Sequence, residues 1–244
     1  MAKEFYTYTL PNGLRCIHKR TNRDVSHLGL VVNAGSRDEL DHEEGLAHFI
    51  EHSIFKGTKK RKTYHILSRL DNVGGEINAY TGKEDTWIYG SFLNEYLDRS
   101  LELISDIVLN STFPQKEIEK EKDVIIDEIS SYKDSPGEQI FDDFEELIFE
   151  NHPLGNPVLG SEESVAKLSR DHILDFIEKN YSSETMVLSV LGDYTLAKVK
   201  KLAEKYFESV KRSNTKKEKR EEFKIYKPSD IEIEMDTHQV HYIA

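Results

Sequence analysis

A single cysteine, Cys16, has no partner within the 244 residues, so an internal disulfide is excluded and a reducing compartment is expected. Long apolar runs are missing too. The longest, such as "LGLVV" from Leu28, are strand-sized and too short to cross a bilayer, and nothing resembles a signal peptide. Positive charge is the minority sign, with 33 Lys and Arg against 45 Asp and Glu. The resulting net charge of -12 argues against nucleic acid or an anionic membrane as the main partner, because both attract basic surfaces. No internal repeat or low-complexity tract is found either. These absences lead to an expected cytoplasmic location.

What is present is core-forming material, 37% apolar and 10% aromatic residues, enough for one large domain plus a remainder. "FYTYTL", the turn "PNG" and "LRCIHKR" predict a hairpin, and "HLGLVVNAG" a third strand. Asp41 and Glu44 are spaced as a capping box and Gly57 as a C-terminal glycine, which predicts a helix from about Asp41 to Lys56. A helix "TYHILSRLDNV" then precedes two alternating strands, "EINAYTG" and "DTWIYGSFL". Helical periodicity follows in "EYLDRSLELISDIVL", "QKEIEKEKDVIIDEISSY", "PGEQIFDDFEELIFE" and, as one helix, "SVAKLSRDHILDFIEKNY". "ETMVLSVLG" is a buried strand and "TLAKVKKLAEKYFESV" a closing helix. The expected fold is α+β, a mixed, largely antiparallel sheet with helices packed on it. The expected division is a domain over 1–210, a charged linker over 211–230 that reads as a solvated connector, and the first strand of a further domain over 231–244.

The helix around "GLAHFIEHSIFKG" carries three ionisable groups among apolar residues. With His48 at zero on a helical wheel, His52 falls near +40° and Glu51 near -60°, while Leu46, Phe49, Ile50 and Ile54 take the opposite side. Histidines one turn apart can direct ring nitrogens at one Zn²⁺, and a glutamate beside them that is not a ligand can serve as a base. The order H-x-x-E-H is the inverzincin signature. In this composition it arises by chance about once in twenty chains, so a third ligand is needed to support it. A lone histidine is more simply a hydrogen-bonded core residue, the reading given to His18, His27, His65 and His172.

The helix "QKEIEKEKDVIIDEISSY" offers that ligand. Glu121 and Glu128 lie about 20° apart on the wheel and border the stripe of Ile118, Ile125 and Ile129. Two carboxylates buried side by side are costly without a cation or protonation. The alternative is a salt bridge to a lysine or arginine.

Four segments, "GLAHFIEHSIFKGT", "GGEINAYTGKEDTWIYG", "EKDVIIDEI" and "HPLGNPVLG", occur in order along the chain. Together they resemble the N-terminal half of a pitrilysin/insulinase-type zinc peptidase, nearest the small bacterial members related to mitochondrial processing peptidase. The resemblance implies one Zn²⁺ held by His48, His52 and Glu128, with Glu51 as general base and Glu121 as an additional acidic residue. It also implies a peptide substrate that adds as a strand along "EINAY", with Asn78 and Ala79 facing it. His152 in "HPLG" is read as structural.

By the same resemblance, a second half on the same chain or on a partner subunit completes the chamber, and a homodimer is one way to supply it. The implied activity is a zinc metalloendopeptidase acting on unfolded peptides, poorly active from this half alone. The alternatives are a non-catalytic scaffold of the same fold and a metal-dependent hydrolase of small molecules.

Overall fold

The computed structural model describes residues 5–212, 219–224, 226–235 and 238–244. Six strands form one sheet: β1 (Tyr6–Thr9), β2 (Arg15–Arg20), β3 (Val25–Val32), β4 (Glu76–Thr81), β5 (Thr86–Leu93) and β6 (Met186–Gly192), in the order β1-β2-β6-β3-β5-β4. All neighbours are antiparallel except β2 and β6, which run parallel. The α+β expectation holds. Alternation along β3, β5 and β6 turns Leu28, Leu30, Val32, Ile88, Phe92, Met186, Leu188 and Val190 to one face, where they are buried. Helices cover that face, chiefly α1 (Leu46–Ser53), α3 (Leu97–Asn110) and α8 (Leu196–Phe207). Also on the core side are α2 (Thr63–Asp71), α4 (Gln115–Lys133), α6 (Glu162–Lys167) and α7 (Arg170–Asn180), while α5 (Pro136–Ile148) packs on α4.

Two helices differ from expectation. α1 begins at Leu46 and not at Asp41, because Gly45 sits at φ 85°, outside helical space. Its first free amides are not served by a box of Asp41 and Glu44. The Glu39 carboxylate reaches back instead and accepts from Gly45 N at 2.9 Å and Ala47 N at 2.7 Å. At the other end the helix stops at Ser53, and Gly57 (φ 145°) belongs to a bridge with Lys62. The single helix expected over 164–181 is two, since Leu168 turns extended and Ser169 caps α7 by accepting from His172 N.

The connector is not wholly solvated. Residues 213–218 and Ile225 of the expected linker, and Asp236 and Thr237 of the expected strand, lie outside the described residues. Arg220, within the linker, is pinned to the domain: its guanidinium donates to Asp38 Oδ2 and to the Glu84 carbonyl, both at 2.6 Å. Phe223 rests on Phe149 and His152. Beyond it, the described residues 226–235 and 238–244 carry no helix or strand. Ile231, Ile233 and Met235 are exposed there.

Candidate metal centre and strand edge

The polar face of α1 meets α4 at one point. His48, His52 and Glu128 each bring a ligand atom to within 4.8 Å of the others. Glu128 Oε2 is 3.3 Å from His52 Nε2, and Glu128 Oε1 is 3.9 Å from His48 Nε2. The rings of the two histidines stand edge to face at 4.6 Å. Glu128 is 44% exposed, so the cluster opens to solvent on the α4 side while His48 is buried against the core.

What orients these groups is as informative as the cluster. His52 Nδ1 donates to Glu121 Oε1 at 3.0 Å, which fixes the tautomer and turns the Nε2 lone pair toward Glu128. The other Glu121 oxygen accepts from Lys56 Nζ at 2.7 Å. Glu121 thus forms the salt bridge raised as an alternative to metal binding, one helical repeat before Glu128. The two glutamates expected side by side have separate surroundings, Glu121 buried and Glu128 half open. Lys56 stands outside the H-x-x-E-H motif, and its place one turn past His52 on the same face is the only sequence signal for this contact.

Electrostatics divide the two histidines. Burial, with His52 alongside, pushes His48 down to about 4, leaving a neutral imidazole suited to ligation. Burial alone would lower His52 as well, but the Glu121 hydrogen bond and the charges of Glu128, Glu121 and Glu51 raise it. Glu121 is itself held below the usual carboxylate range, because the bonds from His52 and Lys56 outweigh its burial. Glu51 is raised, chiefly by burial.

Glu51 does not join the three ligand atoms. It leans toward β4, where Thr81 Oγ1 donates to its Oε2 at 2.7 Å. Among the described residues β4 is one of the two edge strands of the sheet, β1 being the other. Gly82 N donates to Asp85 O, so the ladder alternates outward from that bonded pair. The backbone groups of Thr81, Ala79 and Ile77 therefore face away from β5, toward the free edge. Ala79 N is taken up by its neighbour's Asn78 Oδ1 at 2.9 Å. Asn78 is exposed, whereas the Ala79 side chain is buried and only its backbone meets the edge.

The remaining histidines behave variously. His18 is a core residue bonded to the carbonyls of Val190 and Tyr194, and His152 is buried and accepts from Leu154 N. His27 and His65, read as core residues, are exposed, and His172 is half-buried.

The donor set fits Zn²⁺. It supplies two imidazole nitrogens and one carboxylate oxygen, the number and type of protein ligands found in catalytic zinc sites, and the spare nitrogen of His52 is already engaged. Comparison with known proteins points the same way. Residues 15–162 match the model for insulinase (peptidase family M16), and residues 167–244 match that for the peptidase M16 inactive domain. An uncharacterized zinc protease of Rickettsia bellii is 38% identical over 211 residues, covering 86% of this chain and 51% of its own. The mitochondrial-processing peptidase subunit beta of Caenorhabditis elegans is 36% identical over 210 residues, covering 86% of this chain and 46% of its own. The chain thus spans about half the length of the curated relatives it matches. A protease from Helicobacter pylori superposes with a TM-score of 0.82 at 27% identity, covering 87% of this chain and 52% of that one. Pitrilysin shares the fold, with a TM-score of 0.81 at 24% identity, covering 93% of this chain and 24% of its own.

Proposed function

Because the chain belongs to the insulinase family of peptidases, M16, we propose that it is the zinc-binding half of a metalloendopeptidase that cuts unfolded peptides. The observation that carries this reading is the convergence of His48, His52 and Glu128, with Glu51 beside them but turned to the strand edge. His48, His52 and Glu128 hold one Zn²⁺. When bound there, the ion supplies Lewis-acid polarisation of the substrate carbonyl and a lowered pKa for water. Glu51 accepts from the Thr81 hydroxyl through Oε2. It accepts a proton from the attacking water as the new C–O bond forms, then returns that proton to the leaving amine as the C–N bond breaks. The peptide pairs with the outward backbone groups of Ile77 and Ala79, which demands no particular side-chain sequence. Asn78 releases Ala79 N as this strand adds.

A second half, on the same polypeptide or on a partner subunit, closes the chamber opposite the metal and holds the substrate carbonyl. The share of the relatives that the chain covers supports this. A scaffold of the same fold is disfavoured by the base, since a non-catalytic subunit has no use for Glu51.

The test begins with elemental analysis, where about one Zn²⁺ per chain is expected. Hydrolysis of an unstructured fluorogenic peptide is then measured with the complementary half supplied. Glu51→Gln keeps its size and its bond to Thr81 but loses the basic oxygen, so zinc should be retained while the rate drops roughly 10²-fold or more. A wild-type protein that takes up no zinc, or zinc loss in Glu51→Gln, would overturn the assignment.

A further inference from the structure

We infer that Thr81 is a positioning residue for the base, locking one Glu51 oxygen to the strand edge on which the peptide is laid. The inference rests on the functional reading above and extends it to a residue with no place among the ligands or the base.

The Thr81 hydroxyl has one proton and two acceptors within reach. Glu51 Oε2 lies at 2.7 Å, and the Ala47 carbonyl, one turn earlier on α1, at 3.4 Å. Had the hydroxyl served only to fasten the edge strand to α1, the short bond would go to the helix carbonyl. It goes to the carboxylate. A glutamate side chain has three torsions to settle, and this short bond favours one rotamer. The second carboxylate oxygen is left as the one that exchanges a proton.

The position of Thr81 along β4 gives this contact its meaning. Ala79 lies two residues earlier on the same edge, about 7 Å away at the rise of a strand. A peptide paired with the backbone of Ala79 therefore has its next carbonyl opposite Thr81, beside Glu51. One strand sets both the register of the substrate and the rotamer of the base, so thermal movement of β4 against α1 carries the two together. A base anchored on the helix alone would not follow the peptide.

The experiment compares Thr81→Val, which keeps shape and β-branching while deleting the hydroxyl, with Thr81→Ser, which keeps the hydroxyl. Zinc content and affinity should stay within about threefold of wild type in both, since Thr81 touches no ligand. In the complete enzyme, kcat for a fluorogenic peptide should fall about tenfold or more in Thr81→Val with KM changed less than about threefold, and Thr81→Ser should recover most of it. A second readout needs no turnover. The Glu51 side-chain carboxyl ¹³C resonance, assigned through Glu51→Gln in the metal-free protein, should move in Thr81→Val and stay near its wild-type position in Thr81→Ser. Wild-type kcat in Thr81→Val, a defect confined to KM, or a serine variant as slow as valine would each overturn the inference while leaving the peptidase assignment intact. A wild-type enzyme that binds no zinc and cuts no peptide would instead remove the functional reading and this inference with it.

Discussion

Glu121→Gln isolates the contribution of the group behind the proposed zinc ligands. The carboxylate is 5% exposed, with one oxygen on His52 Nδ1 at 3.0 Å and the other on Lys56 Nζ at 2.7 Å. An amide of the same shape has one acceptor oxygen and one NH₂. Whichever way it turns, the NH₂ meets either an imidazole N–H or an ammonium group, and burial keeps water from intervening. One charge-assisted bond is lost, worth about 1.5–3 kcal/mol. If that loss falls on His52, its tautomer is no longer enforced and the energy comes out of metal binding. At about 1.4 kcal/mol per factor of ten, zinc affinity should drop roughly 10- to 150-fold. Competition against a chromophoric chelator at fixed pH measures this directly. Thermal unfolding of the metal-free variant shows separately whether the fold has suffered. Lys56→Met keeps the Glu121–His52 bond and should cost less. If Glu121→Gln folds normally and binds zinc within about threefold of wild type, the orienting role of Glu121 is refuted.

Two further predictions concern the frame around the site. Gly45→Ala places a side chain at φ 85° with its Cβ 2.5 Å from the Leu159 carbonyl, so left-handed strain adds to a backbone clash. Stability in urea should fall by about 2 kcal/mol or more, and a loss below about 0.5 kcal/mol would contradict this account of the α1 N-terminus. Cys16 is buried, and burial pushes its thiol up to about 12. The raised pKa leaves only about one thiolate in ten thousand at pH 8, so a thiol reagent should modify the native protein at least ~10³-fold more slowly than the denatured one. Rapid native labelling would show that the β2 region opens.

The grouping of these side chains on helix faces is legible because helix periodicity is a local property, whereas the choice of Glu128 over Glu121 rests on the family resemblance. His48, Glu51 and His52 lie within five residues, and Glu121 and Glu128 within eight, so a wheel orders each group without knowledge of the fold. The strand order was not legible, because β6 enters between β2 and β3 from more than 150 residues downstream and its apolar run records burial, not neighbours. The cap of α1 departs from its sequence spacing for a related reason. Spacing favoured Asp41 and Glu44, yet the positive φ at Gly45 bends the chain so that Glu39 reaches the amides.

Charge runs mislead in the opposite direction. "KRSNTKKEKREE" looks like uniform solvent-facing linker, but Arg220 finds Asp38 and the Glu84 carbonyl, one residue short of Asp85, where the β4–β5 hairpin turns. That hairpin carries Thr81 at its near end, and Thr81 holds Glu51. The charged segment is therefore fastened to the same hairpin whose Thr81 bonds Glu51, a connection formed by tertiary contacts between stretches that individually read as a turn, a strand end and a tail.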